Sequence, residues 1–145
     1  MSAIRIKKLH PNAILPSYGS AEAAGADLYA CLDESVTVAP GQTAWIPTGF
    51  AMEVPKGCAG LVYARSGMAC KKGLAPANKV GVIDSDYRGE IMVGLQNSGD
   101  TDYTVQPADR IAQLMITPVV QATVSMVEEL DDTARGTGGF GSTGK

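Results

Sequence analysis

Glycine and proline divide this chain into short segments. Seventeen glycines and eight prolines are spread over its 145 residues. Apolar residues alternate with polar ones between them: Ile91, Val93 and Leu95 alternate in EIMVGLQ, and Val36 and Val38 precede the turn-like APGQ. Short alternating segments separated by frequent turn signals are typical of an all-β barrel or sandwich. We therefore predict an all-β fold.

One short helix and a polar tail complete this prediction. In SGMACKKG we expect a helix of about two turns, with Ser66 as its N-cap and Gly73 as its C-terminal stop. Residues 128–137 become acidic and polar, and we interpret them as a linker. We therefore expect one domain over residues 1–134 and a separate glycine-rich arm over residues 135–145.

Composition argues against several functional classes. The formal charge of −3 does not favour general attraction to nucleic acid. No stretch is apolar and long enough for a membrane span, and MSAIRIKKLH lacks the apolar run of a signal peptide. Three cysteines without C-x-x-C spacing favour reduced thiols and a cytoplasmic location. His10 is the only histidine, so neither a Ser-His-Asp triad nor a multi-histidine metal site is expected, and we interpret His10 as a surface loop residue.

Four of the five arginines lie in polar segments that contain glycine. They are Arg65, Arg88, Arg110 and Arg135. The planar guanidinium can donate two hydrogen bonds to one phosphate, so an anionic ligand is one interpretation. Surface ion pairs are the alternative. Ser66 adds a similar choice between an anion site at a helix start and a plain capped helix.

Acidic residues offer a candidate for catalysis. Asp84 and Asp86 lie in VIDSDYRGE, and on a strand they would point to the same face. A carboxylate aimed into a site can act as a general base or hold a metal-bound water. The alternative is a solvated β-turn, which Asp-Ser-Asp suits. Asp27 in AGADLYA poses the same choice.

Five segments occur in an order and at a spacing that resemble a known family. They are AGADLYA (24–30), ARSGMA (64–69), NKVGVIDSDYRGE (78–90), DRIAQLMI (109–116) and RGTGGFGSTG (135–144). These segments resemble the five motifs of the homotrimeric dUTPases, the dUTP diphosphatases. The resemblance spans nearly the whole chain, and the third and fifth motifs are the most specific. Two departures are Ala108, where the family usually has glycine, and Lys79, which lies in a variable loop.

The resemblance implies a fold and a reaction. The fold would be a jelly-roll β-barrel, and three copies would form a trimer with active sites between subunits. The enzyme would hydrolyse dUTP to dUMP and pyrophosphate, which limits uracil incorporation into DNA and supplies dUMP for dTTP synthesis. Asp84 would orient the attacking water toward the α-phosphorus. The cofactor would be Mg²⁺, held by the substrate phosphates and water, with Asp27 acting at most through water.

The resemblance also implies the substrate contacts. The phosphate contacts would be Arg65, Ser66, Gly67 and Gln113. The uracil contacts would be Asn78 and the backbone of Val82, Ile83 and Met92. Tyr87 would lie under the deoxyribose and leave no space for a 2′-hydroxyl. The arm residues Arg135, Phe140, Gly141, Ser142 and Thr143 would close over the nucleotide, with Phe140 stacked on uracil and Ser142 and Thr143 at the γ-phosphate.

Three alternatives remain beside this interpretation. A dCTP deaminase would share the fold, but it needs a glutamate placed for deamination, and none is apparent in VGVIDSDYRGE. A regulatory protein would use the same scaffold to bind a partner. A purely structural β protein would need neither a catalytic site nor a partner-binding site.

Overall fold

Strands dominate the architecture. The structure is a computed structural model that describes residues 3–141, and within them it contains eleven strands and one helix. The strands of the first half are β1 (Arg5–Lys8), β2 (Ser17–Tyr18), β3 (Ala26–Tyr29), β4 (Val36–Val38), β5 (Thr43–Glu53) and β6 (Cys58–Tyr63). The helix α1 (Ser66–Lys72) is followed by β7 (Leu74–Pro76), β8 (Gly81–Ile83), β9 (Glu90–Asn97), β10 (Tyr103–Val105) and β11 (Arg110–Pro118).

Three antiparallel sheets enclose one core. Their strand orders are β1-β5-β9-β7, β2-β3-β11-β6-β8 and β10-β4. Buried apolar side chains from all three sheets form a single cluster. The all-β, jelly-roll-type prediction is confirmed, although the sheets do not join into one closed barrel.

The side chains of β9 alternate between the buried core and the outer face of the sheet. Ile91, Val93 and Leu95 are buried, whereas Met92 on the opposite face is exposed. Side chains on a strand point alternately to its two faces, so burying one row leaves the other row free to face a ligand. The alternating EIMVGLQ segment therefore contributes one row of side chains to the core and a second row to an outer face that a ligand could contact.

A bulge bends β5 beside the start of β9. The register of the two strands shifts between Pro47 and Ala51. Within the bulge the buried Thr48 hydroxyl donates to the Ile91 carbonyl at 2.6 Å. Gly49 has φ 73°, and an added Cβ would lie 2.5 Å from the Cys31 sulfur. Only glycine fits this position without strain.

The helix begins differently from the sequence prediction. Arg65 is the N-cap in an extended conformation, with no side-chain cap, and Ser66 is the first helical residue. The prediction of Ser66 as N-cap is therefore wrong. Arg65 is extended, at φ −83° and ψ 129°, and its side chain donates to Asp27, since a guanidinium has no acceptor for the helix amides. The C-terminal prediction is confirmed, since Gly73 ends the helix at φ 67°.

The segment after β11 is exposed. Residues 119–137 are solvent-exposed throughout and form no strand or helix. Val120, Val124 and Met126 are each more than nine-tenths exposed. Around Arg135 the chain turns, with the Gly136 amide donating to the Thr133 carbonyl. Among the helices of residues 3–141, none is long and apolar enough to cross a membrane.

Candidate active site

A cavity of about 700 Å³ opens between the segment 76–83, which contains β8, and the outer face of β9. Five of the six residues that the resemblance assigned to the nucleoside line it, namely Asn78, Val82, Ile83, Tyr87 and Met92, whereas Phe140 does not. They come together because β8 pairs with β6 in one sheet and β9 pairs with β5 in the other. The chain between β8 and β9 crosses from sheet to sheet and forms one end of the cavity.

β8 is an edge strand that borders this cavity. β8 is the last strand of its sheet and pairs only with β6, Val82 lying opposite Leu61. One side of the β8 backbone is therefore without a strand partner within residues 3–141. Unpaired edge amides and carbonyls are a template for further hydrogen bonds. The turn before β8 is tight, with Lys79 at φ 65° and its amide donating to the Pro76 carbonyl.

Asp84 and Asp86 lie in different local structures. Asp84 directly follows β8, while Asp86 belongs to the turn that the Tyr87 amide closes by donating to the Asp84 carbonyl at 3.2 Å. Of the two interpretations left open for these residues, a strand and a β-turn, the structure shows the turn. Asp84 is exposed and lines a second cleft of about 760 Å³, which borders Val82 of the first cavity.

Tyr87 and Arg88 are held by the backbone around them. The Tyr87 hydroxyl donates to the Glu90 carbonyl at 3.1 Å. Arg88 donates from Nη1 to the carbonyls of Ser85 at 2.8 Å and Tyr87 at 2.9 Å. Arg88 is not among the lining residues of the nucleoside cavity. In this chain, then, Arg88 binds the protein backbone.

The residues assigned to phosphate lie elsewhere, on β11 and at the start of α1. Asp27 and Tyr63 flank Gln113 on the two neighbouring strands. Arg65 follows the end of β6, and Ser66 and Gly67 open the helix. None of Arg65, Ser66, Gly67 or Gln113 lines the nucleoside cavity. Gln113 instead borders a smaller cleft with Tyr63 and Gly25.

Asp27 organises this second group. It is 5% exposed, and its Oδ1 accepts from Arg65 Nε at 2.8 Å while Oδ2 faces Arg110 Nη1 at 3.4 Å. One carboxylate between two guanidinium groups leaves a net positive charge, which suits an anionic ligand. The pair also fixes the Arg65 side chain before any ligand arrives.

The arm residues up to Gly141 do not reach either group. Arg135 donates from Nε to the Gly138 carbonyl at 2.8 Å, and Phe140 is fully exposed at φ 50°. Gly141 has φ 93°. Ser142 and Thr143 lie outside the described residues. Closure of the arm therefore stays a prediction.

His10 lies in a loop, as predicted, and contacts a cysteine. Its Nδ1 is 3.4 Å from the Cys31 sulfur, and its Nε2 is 3.9 Å from Asp33. Burial raises the pKa of the Cys31 thiol, and the nearby carboxylates of Glu90 and Asp33 raise it further. A thiol with a raised pKa is a poor nucleophile, so this arrangement does not form a catalytic Cys-His pair. Cys31, Cys58 and Cys70 are all free.

The donor set gives no protein cage for a metal ion. Residues 3–141 contain no cluster of three or more histidine, cysteine or carboxylate side chains that would hold one. Both oxygens of Asp27 already face arginines. This arrangement fits a hydrated ion carried by phosphates, because Mg²⁺ keeps several waters and seldom needs an all-protein site.

Sequence reasoning missed several residues at the site. Trp45 lines the nucleoside cavity although it is 71% exposed, and its ring lies beside Gly94 across the β5–β9 pair. Glu90 also lines the cavity. Trp45 stands outside all five motifs, and only the register of β5 against β9 brings it to the rim, whereas Glu90 closes the third motif but was given no role there.

Comparison with known proteins agrees with this geometry. A family model described as dUTPase matches residues 11–144. The chain is 52% identical over 141 residues to the deoxyuridine 5′-triphosphate nucleotidohydrolase of Syntrophotalea carbinolica, covering 97% of this chain and 96% of that protein. It is 48% identical over 148 residues to the protein of the same name from Janthinobacterium sp., covering 100% and 99%.

Solved structures agree as well. A single-residue variant of the Staphylococcus bacteriophage 80alpha dUTPase, solved with dUpNHpp, matches with a TM-score of 0.91 at 27% identity over 100% of both chains. A dUTPase variant from phage phi11 of S. aureus, whose structure describes the coordination of a structural Mg(II) ion, matches with a TM-score of 0.82 at 25% identity. That match covers 90% of this chain and 100% of the phage protein.

Proposed function

Because this chain belongs to the dUTPase family, we propose that it hydrolyses dUTP to dUMP and pyrophosphate. The observation that carries the proposal is the cavity of about 700 Å³ that five of the six expected nucleoside contacts line together. Its product would supply dTTP synthesis, and its action would keep uracil out of DNA. The alternatives of a deaminase, a regulatory protein or a purely structural protein have no comparable observation in their favour.

Edge strand β8 would select uracil. Its unpaired backbone groups beside Val82 and Ile83 would bond the donor and acceptor edge of the base, with Asn78 in the turn before the strand. Cytosine presents the opposite pattern, so buried polar groups would be left unpaired, which is how a site rejects an analogue strongly. The close approach of the segment 76–83 would also leave no space for the thymine methyl group.

Tyr87 would select the sugar. Its hydroxyl is tied to the Glu90 carbonyl, which holds the ring at the cavity wall. A ring fixed beneath the deoxyribose would collide with a 2′-hydroxyl, so UTP would be excluded by bulk. Met92, on the outward face of β9, would complete the floor.

The phosphate contacts support a site shared between copies. Arg65, Ser66, Gly67 and Gln113 lie outside the cavity that would hold the nucleoside. Within residues 3–141, one chain therefore does not bring these base and phosphate contacts together, whereas a homotrimer with sites between subunits would do so. The exposed apolar side chains of residues 119–130 give a further reason to expect a partner surface, because such patches on soluble proteins mark interfaces.

Asp84 would perform the chemistry at the junction of the two clefts. Its carboxylate would accept a proton from a water molecule and orient that water toward the α-phosphorus. The new P–O bond would form as the bond to pyrophosphate breaks, in line. Bound Mg²⁺ would neutralise charge on the triphosphate, held by the phosphates and water, with Asp27 acting at most through water. Arg65, aligned in advance by Asp27, would stabilise the charge that develops on the phosphates.

Residues 1–134 would form the catalytic domain, and residues 135–145 would form an arm that closes over bound nucleotide. Phe140 would stack on uracil, while Arg135, Gly141, Ser142 and Thr143 would approach the phosphates. The free cysteines fit a reducing compartment and hence a cytoplasmic location.

Side-by-side assays of pyrophosphate release from dUTP, dCTP, dTTP and UTP test this proposal. We expect turnover of dUTP alone, and release of ammonia from dCTP would favour the deaminase instead.

Asp84→Asn should lower turnover by at least about 10²-fold, the usual scale for a positioned base. Asp86→Asn is the matched control and should stay close to the parent. A fully active Asp84→Asn variant would mean that the catalytic assignment is wrong.

A further inference from the structure

Arg88 binds the turn that connects the catalytic aspartate to the sugar-selecting tyrosine. A single nitrogen, Nη1, donates to the Ser85 carbonyl at 2.8 Å and to the Tyr87 carbonyl at 2.9 Å. The Ser85 carbonyl lies within the turn and the Tyr87 carbonyl at its end, so one guanidinium bridges two points of it. The only other backbone bond across this turn among the described residues is the longer one from Tyr87 to Asp84, at 3.2 Å.

Glu53 orients Arg88 from the neighbouring sheet strand. Glu53 Oε1 lies 3.5 Å from Arg88 Nε. Its second oxygen, Oε2, accepts from Arg5 Nε at 2.6 Å, and Arg5 is directly opposite Glu53 in the β1–β5 pair. The three residues therefore form a chain of contacts from β1 through the end of β5 to the turn. A carboxylate between two arginines has little freedom to rotate away.

We propose that Arg88, oriented by Glu53 and Arg5, is a positioning residue that holds Asp84 and Tyr87 in their working geometry. This inference rests on the proposed function. Both target side chains are exposed, so the core does not hold them. Holding a base and a sugar contact in place matters because a misplacement of about 1 Å can cost on the order of 10²-fold in rate.

Two other roles for Arg88 make different predictions. A phosphate contact would need only its positive charge, so lysine would largely replace it and the main defect of a neutral variant would be a raised KM. An ordinary exposed ion pair would be worth little, and its loss would change nothing measurable. Positioning instead predicts a lowered kcat together with weaker discrimination against UTP, since one turn carries both Asp84 and Tyr87.

The experiment compares Arg88→Lys, Glu53→Gln and Arg5→Ala with the parent. Lys7→Ala is the matched control, because Lys7 is an exposed cation on the same strand as Arg5. Steady-state rates with dUTP and with UTP give kcat, KM and the sugar preference. Thermal melting and native mass show whether each variant folds and assembles. If an arginine variant does not fold, the nearly isosteric Glu53→Gln still tests the proposal.

We expect Arg88→Lys to lower kcat for dUTP about tenfold and Glu53→Gln about threefold to tenfold, with KM changed by less than about twofold. Both should lower the dUTP/UTP specificity ratio, and the double variant should be little worse than Arg88→Lys alone. Arg5→Ala should show a smaller effect of the same kind.

An Arg88→Lys variant with parental kcat and parental sugar preference would overturn the proposal, as would a change confined to KM. These results are separable from failure of the proposed function. If the parent does not turn over dUTP, or if Asp84→Asn is fully active, the reaction assignment itself fails, whatever these three variants do.

Discussion

Removing the Asp27 carboxylate should destabilise the fold and loosen the phosphate contacts together. The Asp27 side chain is 8% exposed and binds Arg65, whose side chain is 24% exposed, and Arg110, whose side chain is 53% exposed. In Asp27→Ala the Arg65 guanidinium stays in a partly buried site but loses the anion that aligns it. Arg110 is half exposed, so water replaces most of the interaction that it loses with the Asp27 carboxylate.

The magnitude follows from these exposures. Deleting one partner of a fully buried ion pair costs about 3–5 kcal/mol. Solvent screens Arg110 and partly reaches Arg65, and both effects reduce this cost. We therefore expect Asp27→Ala to lower the free energy of unfolding by about 2–3 kcal/mol. For a domain of this length the melting temperature falls by about 3–5 °C per kcal/mol, which gives a fall of about 6–15 °C. Asp27→Asn keeps an acceptor for Arg65 Nε and should cost about 1 kcal/mol.

Thermal unfolding at one fixed protein concentration measures this effect, since association makes the midpoint depend on concentration. Asp33→Ala removes an exposed carboxylate and serves as the control. Steady-state kinetics should show a raised KM for dUTP in both Asp27 variants, because Arg65 is no longer aligned. A melting temperature for Asp27→Ala within about 2 °C of the parent, with KM unchanged, would refute the claim that Asp27 organises this group.

Three further predictions follow from the site. Tyr87→Ala should lower the dUTP/UTP specificity ratio and not merely slow both substrates, and an unchanged ratio would assign sugar selection elsewhere. A chain ending at Thr133 should keep its melting temperature and native mass but lose turnover, with Phe140→Ala intermediate. Full activity of the shortened chain would show that the arm is dispensable. The raised pKa and partial burial of Cys31 should make it react with iodoacetamide at pH 8 much more slowly than the exposed Cys70, as peptide mass mapping would reveal.

Local patterns in the sequence predicted the strands well. The alternation of Ile91, Val93 and Leu95 identifies β9 because burial on one face has a period of two residues. Gly73 is recognisable as a helix end because few other residues accept its positive φ. The resemblance to a known family named five residues that the structure places around one cavity, and their contact with a nucleoside stays a prediction.

Long-range pairs could not be predicted in the same way. Asp27 and Arg65 are 38 residues apart, and only the pairing of β3 and β6 with β11 brings them together. The same contact explains the error at Ser66, since it commits Arg65 to an extended conformation before the helix. Glu53 and Arg88 meet through strand register, and no local pattern marks either residue as a partner of the other.

The separation of base and phosphate contacts within one chain has a genetic consequence. If copies assemble as proposed, each subunit gives its nucleoside cavity to one site and its Arg65 group to another. Two alleles that are each inactive, one encoding Asp84→Asn and one encoding Arg65→Ala, would then complement each other in mixed trimers. With random assembly from equal amounts, about a quarter of the sites would receive both intact halves. A cell carrying both defective alleles would regain activity that neither allele supplies alone.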